Sequence, residues 1–313
     1  MPWTGPWTGA RVLGRIPSLH EWRVAVLLGS GSDVAPVPAA WFFLPRPVSQ
    51  FDITVCLLPT PHREVKAALD AALAPFDMNR PPEGNPGGQW DWWHLGAGEN
   101  RFAVKPEYDG DPRLIRERFW PGGAVRDQVP LQCDGGPRAL LDFAATRAAA
   151  IADARGEWEA EQWDWERLVS LNPPAQPLTA FLARHRADPE GYTRERAIAD
   201  HHSQPLIRAL NRRSPDDPYS YPNLAIWILG PDSDPITYYT RDPQTDFDEA
   251  AIWAIPTYAL ITMEGQWIDA DHRGTFGTAL PGEDVSGAYA RHATAYLDSL
   301  DSGCVIVRIR CHG

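Results

Sequence analysis

Lysine is almost missing from this chain: Lys66 and Lys105 are the only two in 313 residues, so arginine carries nearly all the positive charge. The formal net charge is −12, which disfavours a nucleic-acid partner, because such binding draws on cationic contacts to phosphate. An arginine group at Arg113, Arg116 and Arg118 is a local exception. Cysteine is scarce as well. Cys56, Cys133, Cys304 and Cys311 form no C-x-x-C pair, and Cys56 sits in an apolar run, so a disulfide framework is not expected and a reducing, cytoplasmic setting is. No apolar run approaches the ~20 residues that span a bilayer, so no membrane partner is expected. The run 24–28 is short and follows Glu21, which argues against a secretory signal. Nucleophile signatures are missing too, with no G-x-S-x-G elbow, no phosphate-binding Walker loop and no H-E-x-x-H.

What is abundant is proline (31), glycine (25) and tryptophan (14). The first fifty residues repeat Pro-Trp-Thr-Gly at 2–5 and 6–9 and crowd four prolines between 36 and 47. They read as an irregular N-terminal arm with strands at 23–28 and 41–44. From Phe51 the pattern sharpens. An apolar, β-branched run at 52–58 predicts a buried strand, and helical spacing of Val65, Ala68, Leu69, Ala72 and Leu73 predicts a helix over 61–73. Near the other end, 257–263 and 266–268 read as strands around a turn at Glu264-Gly265. A helix capped at Ser286 runs to about Leu300. The segment 304–310 alternates Val305, Val307 and Ile309 against Arg308 and Arg310, which predicts one dry and one wet face.

Between these ends the pattern is mostly helical: 137–170, 178–185 and 192–210 with a break at Pro205, then strands at 224–229 and 236–240. The expected architecture is therefore α+β. It is a single domain over 51–313 with a ferredoxin-like split β-α-β core and a helical insertion at about 137–215.

Trp90-Asp91-Trp92-Trp93 is the densest chemical signal. An aromatic wall with an N–H on each ring serves a core or a flat ligand equally, the bland alternative being a strand that packs Trp90 and Trp92 inward. Asp269, Asp271 and His272 after the Gly265 turn, with His312 at the chain end, form a candidate set for a divalent metal such as zinc. His201-His202 cannot both hold one ion from a helix and read as a solvated face. Cys133-Asp134-Gly135-Gly136, placed before a helix at Pro137, reads as a structural turn or an anion cradle.

The order Pro75-Phe76-Asp77, Trp90-Asp91-Trp92-Trp93, Asp134-Gly135-Gly136-Pro137-Arg138, Gly265-Gln266-Trp267 and Cys311-His312 resembles a group of uncharacterised actinobacterial and bacteriophage proteins. Its members carry W-D-W-Y, then G-G-R-W, a G-x-W turn and a terminal C-H. Arg101 stands for the arginine of the second motif after a small insertion, and Arg310 replaces an acidic residue before the Cys-His. The resemblance implies a phage- or mobile-element-associated protein. On this basis a small or flat anionic ligand would lie in a groove of Trp90, Asp91, Trp92, Arg101 and Trp267. Two other readings are a metal-assisted hydrolase and a protein-binding module that inhibits a host system.

Overall fold

Ile53-Thr54-Val55-Cys56 carries β-branched side chains on both sides of the chain, which suits a strand buried on both faces. In the computed structural model this run is β1 (Gln50–Leu57). The structure describes residues 50–80, 84–85, 87–96, 100–117, 129–211, 224, 234–269 and 285–313. The N-terminal arm up to residue 49 lies outside them, as does all but Leu224 of the strand expected at 224–229. After β1 come α1 (Val65–Leu73), β2 (Trp92–Leu95), β3 (Phe102–Ala103), β4 (Gln132–Cys133) and β5 (Gly135–Pro137). A run of helices follows: α2 (Phe143–Ser170), α3 (Leu178–Ala187), α4 (Arg194–Ser203), α5 (Pro205–Asn211) and α6 (Pro235–Thr240). The chain then runs through α7 (Gln244–Trp253), β6 (Ala259–Ile261), β7 (Trp267–Asp269), α8 (Val285–Ser299) and β8 (Val305–His312).

The fold is α+β around a mixed sheet of order β2-β8-β1-β6-β7, with β5 beside β2 on the same edge of β8. β8 is antiparallel to β1, β2 and β5, whereas β6 is parallel to β1. This order differs from the split arrangement expected from the sequence. β6 lies directly against β1 and β7 takes the edge, so no strand divides the β1-α1-β6 unit. Ala259, Leu260 and Ile261 are wholly apolar and buried, as an interior strand of a parallel pair requires.

Successive side chains alternate between the two faces of the sheet. One face presents Ile53, Val55, Val307, Ile309 and Cys311, and Val65, Leu69 and Leu73 of α1 pack on it. The other presents Cys56, Leu260, Ile268 and Ile306 beneath Tyr289, Ala293 and Leu297 of α8. Gly265, at φ +78°, closes the β6–β7 turn. At Gly135 a Cβ would fall 2.3 Å from the carbonyl oxygen of Ile306, so only glycine lets β5 close on β8. Pro137 ends that strand and leads into a single 3-10 turn (Arg138–Leu140) instead of opening the long helix. α2 begins at Phe143, where the Asp142 side chain accepts the Ala145 N–H at 2.8 Å.

The described residues fall into two compact units. One is Ala152–Phe247; the other joins the described residues up to Ile151 with Asp248–Gly313 and holds the whole sheet. In the helical unit Trp165, Leu168, Leu206, Leu210, Leu224 and Tyr239 form the core, with Trp165 stacked on Tyr239 at 4.7 Å. The segment expected as a strand at 236–240 is α6. Asp234 accepts the Thr237 N–H at 3.3 Å and Pro235 opens the first turn, a start signal that outweighs the β-branched residues behind it. His201, expected on a solvated face, is fully buried edge-on to Phe181.

Candidate functional site

Registers among β2, β8 and β1 assemble a polar array at one end of the sheet. Trp92 lies opposite His312 and His94 opposite Arg310, while across β8 the same residues meet Gln50 and Asp52. All six occupy the face that carries Cys56 and Ile306 further along, so one face changes from apolar to polar along its length. Trp92 is 40% exposed, and Arg310 and His312 are partly open to solvent.

Four of the polar side chains in the array are held in place: those of Asp52, His94, Arg310 and His312. Arg310 donates Nε and Nη2 to Asp52 at 2.8 and 3.1 Å, a two-pronged pair that fixes the guanidinium plane. Asn100 donates Nδ2 to Asp52 Oδ2 at 2.9 Å, and Asp52 itself is only 6% exposed. His312 donates Nδ1–H to Asp91 Oδ1 at 2.7 Å, while the Asp91 N–H bonds the His312 carbonyl at 2.9 Å. His94 donates Nδ1–H to the Leu95 carbonyl at 2.7 Å. Both imidazoles are therefore anchored at Nδ1 with Nε2 left for other work. The Trp92 and His94 rings lie 5.2 Å apart.

Deeper along the same face the polarity is structural. Arg308, expected on a wet face, is 3% exposed and sits 4.0 Å over the Phe102 ring. It donates Nη2 to the carbonyls of Ala254 and Ile255 at 2.6 and 2.8 Å. Those two carbonyls and the ring give the guanidinium a dry seat that strand alternation alone does not reveal. Burial pushes its pKa down to about 10, against the pull of Asp52, Cys133 and Asp134, so it stays charged at neutral pH. Thr257 donates its hydroxyl to the Ala259 carbonyl at 2.9 Å, so Thr54 is the donor in the 3.0 Å contact between the two hydroxyls. All four cysteines are buried; burial raises each thiol, Cys133 to about 12, which removes them as nucleophiles.

The residues expected to line a single groove divide between the two faces. Trp90 is buried beneath α1 and donates Nε1 to the Leu73 carbonyl at 3.2 Å. Trp267 is buried on that same face, with its ring 5.1 Å from Phe76 and its Nε1 on Asp269 Oδ2 at 2.7 Å. Trp92 faces the other way. Trp90 bridges Asp77 before β2 begins, so the alternation does not carry through Asp91 and it is Trp93 that shares the core with Trp90. Arg101 lines a recess with Arg116, Gln132 and Asp134.

Of the expected metal set, Asp271 and His272 lie outside the described residues. Asp269 and His312 are kept apart: three strand spacings separate β7 from β8, on the order of 14 Å, and the two side chains leave opposite faces. Among the described residues no group of three or more His, Cys, Asp or Glu is placed to hold a metal ion. The glycines of Asp134-Gly135-Gly136 spend their backbone on pairing: Gly135 accepts the Ile115 N–H at 2.7 Å, and the Asp134 carbonyl accepts that of Arg308 at 2.8 Å. No helix among the described residues is long and apolar enough to cross a membrane.

Sequence reasoning missed Asp52 and Arg310 as members of a site. The signal available was the alternation Arg308, Arg310, His312 along β8, which puts three basic side chains on one face. No protein-family model, curated protein or solved structure matches this chain.

Proposed function

We propose that this protein binds a small, flat, anionic ligand on the polar end of its sheet, at Trp92, His94, Arg310 and His312. One observation carries the reading: residues about 220 positions apart are paired so that an exposed indole, two anchored imidazoles and a fixed guanidinium share one half-open face. Trp92 supplies the stacking surface, and Arg310 with the two Nε2 atoms supplies polar contacts for an anion. The motifs behind the resemblance to actinobacterial and phage proteins support the same place, because Trp92 lies opposite His312 and Trp93 opposite Cys311. A phage- or mobile-element-associated role belongs to this reading as well.

Isothermal titration with nucleoside monophosphates provides the test. Trp92→Ala and His312→Ala should each weaken binding by tenfold or more without lowering the melting temperature by more than a few degrees. Equal affinity in wild type and both variants would place the ligand elsewhere.

A further inference from the structure

We propose that His94 and His312 are an acid–base pair that cleaves a small phosphodiester of a nucleoside bound on this face, an inference that rests on the binding reading above. The geometry supplies the parts. His94 and His312 are diagonal neighbours on adjacent antiparallel strands, a relation that sets side chains about 7–8 Å apart, enough to admit a phosphoryl group between them. Each Nδ1 is committed, to the Leu95 carbonyl in one case and to the Asp91 carboxylate in the other, so both Nε2 atoms are the ring positions left for proton transfer. Asp91 is a positioning residue: its carboxylate holds the His312 tautomer and balances the imidazolium that forms. Arg310, oriented by Asp52, lies directly across from His94 and beside His312 on β8, where it meets a non-bridging phosphoryl oxygen. Among the described residues, Asp52, Asp91, His94 and Arg310 are the ionisable groups that face His312 from β1, β2 and β8.

The chemistry is direct displacement by water. The described cysteines are buried, and the hydroxyls of Thr54 and Thr257 are tied to one another and to the Ala259 carbonyl, so neither a thiol nor these hydroxyls serve as the nucleophile. With a 2′,3′-cyclic nucleotide, neutral His312 Nε2 takes a proton from water as the water oxygen bonds to phosphorus. The P–O2′ bond breaks, and protonated His94 gives its Nε2 proton to O2′. The products are a 3′-monophosphate, imidazolium His312 and neutral His94; exchange with solvent restores both rings. The aromatic base accounts for the exposed Trp92, and the −12 charge of the chain favours a small substrate over a polynucleotide.

The experiment is phosphorus NMR of 2′,3′-cyclic AMP with the purified full-length chain in EDTA, alongside titration of 3′-AMP. The expected result is steady conversion to 3′-AMP. His312→Gln and His94→Gln should each lower kcat by 100-fold or more. Asp91→Asn should lower kcat with KM unchanged, a split that mere loosening of the fold would not give, and Trp92→Ala should act mainly on KM. Absence of cleavage while 3′-AMP still binds through Trp92 overturns this inference and leaves the binding reading standing. Cleavage that survives both histidine substitutions, or that stops in EDTA, overturns it as well. If 3′-AMP neither binds nor is formed, both readings fall together.

Discussion

The two compact units bury ionisable groups in opposite ways. In the sheet unit, charge is kept by pairing. Asp52 is enclosed by Arg310 and Asn100, and Arg308 keeps its proton because carbonyls and an aromatic ring replace its water. In the helical unit, two buried groups are driven toward neutrality instead. Glu161 is 7% exposed, and burial pushes its carboxyl up to about 7, helped by Asp246 and Glu157 and opposed by Arg241. His201 is fully buried, and neither ring nitrogen has a hydrogen-bond partner. Burial holds it below the ordinary imidazole range, against the pull of Asp234, whose carboxylate lies 3.8 Å away. A group kept ionised by fixed partners is held in one orientation; a group driven toward neutrality is tolerated without partners.

The largest expected effect tests pairing. Asp52→Ala removes one half of a largely buried ion pair and leaves the Arg310 guanidinium without its carboxylate, so urea denaturation should show a loss of about 4 kcal/mol. A loss below about 1 kcal/mol would mean that Arg310 does not need its partner and would erase the contrast.

Glu161→Gln tests neutralisation, and its sign depends on pH. The folded pKa lies above the ordinary value of 4.5, so the folded state holds the proton more tightly than the unfolded chain. Stability associated with Glu161 is full below about pH 4.5 and declines as pH rises to about 7. The variant should therefore match wild type at pH 4 and exceed it by about 2 kcal/mol at pH 8. A variant less stable than wild type at pH 8 would show that the ionised carboxylate is paired.

His201 has the opposite sign. Its folded pKa is depressed, so its contribution is present above the unfolded value and is lost as pH falls. Thermal melts between pH 7 and 5 should show a smaller decline in His201→Gln than in wild type; equal slopes would locate the acid sensitivity elsewhere. The smallest change is expected at the exposed end of the sheet, where Trp92→Ala should alter stability by no more than about 0.5 kcal/mol. A larger loss would make Trp92 part of the core and weaken its role in binding.

Local pattern made much of the fold legible. The β-branched run of β1, the apolar spacing of α1, the Gly265 turn between β6 and β7, and the break at Pro205 all appear where their residues place them. Strand neighbours were not legible, because alternation marks a strand without naming its partners. The β1–β8 pairing links residues 258 apart, as in Arg310 and Asp52, so nothing short-range reports it. The site followed the same division. Trp92 and His312 stood out from composition and motif, but their direct opposition depends on that long-range register. Trp90 and Trp92 looked like partners and are separated by the bridge of Trp90 to Asp77, a turn-level detail hidden within a run of tryptophans. Arg308 misled for a different reason: its seat is made by Ala254, Ile255 and Phe102, all distant in sequence.

The interior position of β8 has a consequence for how the protein is made. Among the strands of the sheet it leaves the ribosome last, yet β1, β2 and β5 all pair with it. Through most of translation those three strands have an unsatisfied edge, the kind of surface that recruits chaperones or the wrong neighbour. With its main pairings so far apart in sequence, the sheet is expected to assemble slowly and in one late step. The array that includes His312 is completed in that same step, so a chain cut short before β8 lacks the site as well as the sheet.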